Sequence, residues 1–162
     1  MNAWLWASNP LVKWKGVPGK PNLTPFDALD QYLGFNYVYW ATPAFRTQIR
    51  VDDAAYIWLS GGGVIAAGTV AEKPPREYRR GHNENEFDHP AQLTAPGWNE
   101  EEATSAWKIG IKIDQFWGCK KPLSVQPVPL THGSSGNATI FRLDQGQQQS
   151  IIRAIEARKR VP

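Results

Sequence analysis

The residues best equipped for chemistry lie in one acidic stretch. His82 and His89, with Asn83, Glu84, Glu86 and Asp88 between them, supply the residue types of a metal site or a His-Asn-His nuclease. Their spacing fits neither. A nuclease of that kind needs its histidines on a strand-turn-helix unit separated by more chain, and zinc calls for a cysteine pair or an HExxH pattern. His132 stands alone beside Gly133, and Gly61 to Gly63 read as hairpin-turn geometry rather than a phosphate loop. The sequence contains no Gly-x-Ser-x-Gly, P-loop or dinucleotide fingerprint. Cys119 is the single cysteine, which excludes an internal disulfide and fits a reducing compartment. Lys120 and Lys121 beside it would act to lower its pKa, but no His or Asp pattern accompanies it, so an unreactive thiol is expected. The expectation is a binding domain and not an enzyme, with no metal and no cofactor.

Binding chemistry is better represented, by eight tryptophans and by an uneven charge. Trp4, Trp6, Trp58, Trp107 and Trp117 occur in alternating runs, where aromatic residues usually pack into a core. Trp14 lies between Lys13 and Lys15, a pattern that fits either a loop contacting a nucleic-acid strand or a loop residue folded back on the core. Residues 81 to 105 carry six acidic and no basic side chains, and the rest of the chain carries eighteen basic and nine acidic ones. The basic excess, with Arg76, Arg79, Arg80, Lys108, Lys112, Lys120 and Lys121 near expected strand ends, suits a phosphate-backbone partner. A solvated surface would have the same composition. The acidic segment is expected on the far rim, since it would repel phosphate.

The elements that must position these residues follow from periodicity and punctuation. Ala3 to Ala7 alternate as a strand that puts Trp4 and Trp6 on one face. Thr24 before Pro25, with Asp27 following, marks a helix start, and the helix is expected to run to about Leu33 and stop at Gly34. Phe35 to Trp40, Ala54 to Ser60 and Val64 to Glu72 read as strands, the last two as a hairpin. Residues 73 to 105 have no sustained period and read as a long loop. Trp107 to Trp117 is expected as a long strand and Leu123 to Val128 as a shorter one. Asp144 to Lys159 puts Ile151, Ile152 and Ile155 on one face of a helix with its basic side outward.

The 162 residues suit one domain, 1–162, with a globular rather than disordered composition. No apolar run reaches the roughly 18 residues of a membrane span, and Met1 to Ser8 lack a signal-peptide pattern, so a cytoplasmic location without membrane contact is expected. Arg158 to Pro162 reads as an exit into a linker, and the chain is expected to be the N-terminal recognition part of a longer protein. Oligomeric state is left open.

Strands with few helices suggest an α+β fold: a curved mixed β-sheet or small barrel flanked by helices. Several segments in order resemble the PUA-like superfamily in its EVE and YTH branches. The opening strand ending in Ser8-Asn9 is similar to the family's aromatic strand that ends in Lys-Ser and a polar residue. Trp40-Ala41-Thr42 resembles the YTH Trp-Ser-Thr, and Ile57 to Val70 resembles the family's glycine-linked hairpin. Leu123-Ser124-Val125-Gln126-Pro127-Val128, ahead of a closing helix, is similar to an EVE hexapeptide. Two departures bear on base selectivity: Ala7 stands where the family has a basic residue, and Ala41-Thr42-Pro43-Ala44 where EVE domains have Gly-Val-Arg-Asn.

This resemblance implies a reader that flips a modified base into an aromatic cage, with 5-hydroxymethylcytosine or 5-methylcytosine in double-stranded DNA favoured. The reader would be the specificity domain of a modification-dependent restriction endonuclease, fused to a nuclease. A flipped base needs stacking partners, at roughly 1 to 3 kcal/mol per base, and hydrogen bonds to its edge. Trp40 and Trp98 are the expected cage walls and Asn9 the edge reader, since an amide both donates and accepts. Ser8, Thr42, Ser60 and Trp14 complete the base-binding set. Lys13, Lys15, Arg79, Arg80, Lys120 and Lys121 are the expected phosphate contacts. A reader of modified RNA and a small-molecule or protein-interaction module are the alternatives.

Overall fold

The computed structural model describes residues 1–8, 25–42, 45, 47–59, 62–73, 108–128 and 139–160. Six strands form one mixed sheet in the order β2-β5-β4-β3-β1-β6. They are β1 (Ala3–Ser8), β2 (Tyr37–Ala41), β3 (Ala54–Leu59), β4 (Gly63–Glu72), β5 (Lys108–Phe116) and β6 (Thr139–Leu143). Two helices, α1 (Pro25–Gly34) and α2 (Gln145–Arg160), accompany them. The sheet is open: among the described residues no pairing joins the edge strands β2 and β6, so the small-barrel alternative is corrected to an open mixed sheet. Only β1 and β3 run parallel, and every other neighbouring pair is antiparallel.

The expected alternation in β1 is present, but every position is buried. The strand lies between β3 and β6 and is covered on both faces. Trp4 and Trp6 face a core shared with Leu29, Tyr32 and Leu33 of α1, while Leu5 faces a second core closed by Ile151, Ala154 and Ile155 of α2. Of the three isoleucines expected on the inner face of α2, Ile152 is only half-buried and lies outside this cluster.

Helix termini follow local chemistry. At the start of α2, the Gln147 amide donates to Asp144 Oδ1 at 2.7 Å and the Asp144 amide to Gln147 Oε1 at 2.8 Å, a reciprocal capping box. α1 ends at Gly34 as expected, yet the left-handed residue beyond it is Asn36, at φ 67°. Asn tolerates that region through its short polar side chain. Thr24, the expected cap of α1, lies outside the described residues.

One expected strand is overturned and one unexpected strand is present. Leu123 to Val128 is not a strand: it makes one bridge, Leu123 to Val64, and its apolar residues Leu123, Val125 and Val128 cover the second core. The reason is geometric. β5 leaves β4 at the Phe116–Ala66 pair, which leaves only the first residues of β4 open on that side, and Pro127 lacks the amide a longer ladder would use. The strand immediately before the closing helix is β6, which the sequence reading passed over although Thr139 to Leu143 is rich in β-branched and aromatic residues.

Candidate nucleic-acid interface

Strand directions divide the expected site into two groups. β1, β3 and β5 finish at the same end of the sheet, where Ser8 pairs with Leu59 and Leu59 with Gly63, the first residue of β4. β2 finishes at the other end, where Trp40 pairs with Ile109 and the neighbouring Gly110 pairs with Glu72, the last residue of β4. The whole of β4, ten residues, separates the two groups, roughly 30 Å of strand at about 3.3 Å per residue. The sheet therefore does not bring Ser8 together with Trp40 and Thr42.

Their hydroxyls are engaged with backbone. Ser8 Oγ donates to the Trp58 carbonyl at 3.0 Å, and Thr42 Oγ1 donates to the Trp40 carbonyl at 2.9 Å; both residues are buried. Trp40 is 4 % exposed and meets Tyr32 edge-on, with ring centroids 5.8 Å apart and planes at 89°. The Tyr32 hydroxyl in turn donates to the Tyr39 carbonyl at 2.6 Å. Asn9, Ser60, Trp14, Trp98, Lys13, Lys15, Arg79 and Arg80 lie outside the described residues, as do Trp107 and the His82–Glu102 stretch.

The end of the sheet near Trp40 also holds polar groups that sequence reading did not single out. Tyr39 donates its hydroxyl to Glu72 Oε1, and burial together with the Glu72 carboxylate pushes the Tyr37 phenol well above its ordinary value. A Cβ on Gly110 would lie 2.5 Å from the Tyr37 hydroxyl, so glycine is what admits that phenol. Lys73 Nζ donates to the Ile49 carbonyl at 2.7 Å, and burial, aided by Arg50, lowers its pKa. None of these residues has a motif around it, because their relation depends on strand pairing.

The end near Ser8 carries cations from two segments of the chain. Lys120 and Lys121 are exposed just beyond β5. Arg158 of α2 reaches them, donating from one guanidinium nitrogen to the Pro122 carbonyl at 2.8 Å and from the other to the Lys121 carbonyl. By sequence alone Arg158 belongs to an outward basic face and to the expected exit at Arg158 to Pro162; its contact with the 121–122 carbonyls depends on the fold.

At Cys119 the neighbouring lysines do not prevail: burial and then the Asp30 carboxylate push the thiol up to about 12, in keeping with the unreactive thiol expected there. Asp30 Oδ1 accepts the Cys119 amide at 2.8 Å, so the nearest charge to the sulfur is negative. An inert thiol follows.

Among the described residues no helix is long and apolar enough to cross a membrane. Comparison of the chain with protein-family models, curated proteins and solved structures finds no match.

Proposed function

We propose that the chain is a nucleic-acid-binding reader domain of the EVE/YTH type within the PUA-like superfamily. It takes a modified base of double-stranded DNA, 5-hydroxymethylcytosine or 5-methylcytosine, into an aromatic pocket. On this reading it supplies specificity to a modification-dependent restriction endonuclease. Support comes from the ordered segment resemblances, from the mixed α+β sheet and from the basic excess outside residues 81 to 105. The observation that carries the reading is the exposure of Lys120 and Lys121 at the sheet end where β1 closes on Ser8. From there the sequence runs on to Asn9, Lys13, Trp14 and Lys15. Cations at that end suit a phosphate backbone.

Affinity for matched duplexes with and without 5-hydroxymethylcytosine tests the reading. Preference for the modified duplex is expected, and equal affinity sinks base reading. Competition by RNA of the same sequence separates a DNA reader from an RNA reader.

The burial of Trp40 favours one further reading. A ring 4 % exposed offers no free face, so a base stacks on it only after its cover opens. If Trp40 serves only the core and no other ring takes the base, the domain grips the backbone without reading a base, and equal affinity for both duplexes is the result.

A further inference from the structure

The C-terminal part of α2 is held in a fixed position. Ile151, Ala154 and Ile155 pack against the second core, and one turn later Arg158 bonds to the carbonyls of Lys121 and Pro122. Carbonyl partners orient a guanidinium without cancelling its charge. The Lys120–Lys121 turn and the end of α2 thus form one surface, with Lys120, Lys121 and Lys159 exposed.

Among the described residues, Asp27 and Asp30 of α1 act on Cys119 at the edge of this surface, and Glu156 lies on α2. Glu156 is the only acidic residue in the last two turns of α2. Asp30 of α1 comes close, but its carboxylate is turned to the Cys119 amide. Cations at a helix C-terminus also offset the helix dipole, worth typically 0.3–1 kcal/mol each. That role accounts for Arg158 and Lys159 but not for Lys120 and Lys121, which belong to another segment.

We propose that the last turns of α2 and the 119–122 segment form a single docking surface for the backbone of duplex DNA, with Lys120, Lys121, Arg158 and Lys159 facing phosphates. This rests on the nucleic-acid reading above. It goes beyond that reading by assigning the backbone to the Ser8 end of the sheet and by giving α2 a part in binding. Arg158 acts as a positioning residue, since it fixes the turn that carries the two lysines.

The test measures duplex affinity against salt concentration for the full chain and for a variant with Lys120→Gln, Lys121→Gln and Lys159→Gln. Each lost phosphate contact reduces the slope of log K against log salt by about 0.9, so a reduction between about 2 and 3 is expected. Affinity at low salt falls at least tenfold for modified and unmodified duplexes alike, and their ratio is unchanged. Arg158→Gln reduces the slope by more than one contact's worth, because it removes a charge and releases the turn; Arg158→Lys restores part of the loss. Unchanged thermal melting of the lysine variant confirms that it folds. An unchanged slope, where the wild-type chain binds, overturns the proposal alone. Loss of the preference for the modified duplex with the slope unchanged also overturns it. Failure of the wild-type chain to bind any duplex at low salt overturns the reader reading and this proposal together.

Discussion

Trp4 and Asp53 are joined by a buried hydrogen bond, the indole Nε1 donating to Asp53 Oδ2 at 2.9 Å. The same carboxylate accepts the amides of Asn2 at 3.1 Å and Arg50 at 2.9 Å, so it ties the entry of β1 to the turn before β3. Trp6, two residues on and equally buried, has no acceptor for its Nε1 among the described residues. Two tryptophans on one strand face thus make opposite demands.

Trp4→Phe removes a donor from a buried carboxylate and is expected to cost roughly 1.5–3 kcal/mol beyond its packing loss. Trp6→Phe gives up no hydrogen bond and relieves a buried unsatisfied N–H, so its cost should be well under that of Trp4→Phe. Urea unfolding of both variants decides; equal losses would mean that ring packing alone governs the site.

Cys119 should resist alkylation at pH 8, and Asp30→Asn should raise its reactivity by removing a carboxylate that disfavours the thiolate. The raised pKa also makes stability depend on pH. The folded thiol holds its proton to about 12, whereas the ordinary value is 9.0, so its contribution is fully present below pH 9 and is lost as pH rises from there to about 12. Cys119→Ser should flatten the fall in stability over that window, and an unaltered pH profile would count against the shift.

Trp40 is buried enough that Trp40→Ala should destabilise the fold by about 3–5 kcal/mol, which would confound any binding assay. Trp40→Phe retains an aromatic ring against Tyr32. If Trp40 is a cage wall, this variant keeps salt-dependent binding and weakens preference for a modified base severalfold. A full preference with Trp40→Phe, in a variant whose melting is unchanged, assigns Trp40 to the core.

Gly63 and Gly34 should respond oppositely to alanine. At Gly63, φ is 149° and a Cβ would lie 2.1 Å from the Leu123 carbonyl oxygen, at the one bridge that holds the 123–128 segment. Gly63→Ala is expected to cost about 2 kcal/mol or more through strain and the lost bridge. At Gly34 a Cβ would meet nothing within 4 Å, so Gly34→Ala should stabilise by up to about 1 kcal/mol through the unfolded chain. Thermal melting of the two variants checks the contrast.

What the sequence by itself determined is local. Alternation around Trp4 and Trp6, the runs that became β2 to β5, the glycine turn before β4 and the Asp144 start of α2 were all legible. Their cause lies within a few residues: side-chain period, caps and turn geometry. It missed β6 and mistook Leu123 to Val128 for a strand, because whether an extended segment joins a ladder depends on which edges remain open. Among the described residues, tertiary structure decided that Ser8 and Trp40 stand at opposite ends of the sheet. It also placed Asp30 rather than a lysine against Cys119 and brought Arg158 to the turn carrying Lys121. Each of these relations joins residues distant in sequence, and only the pairing order and direction of the strands set which of them meet.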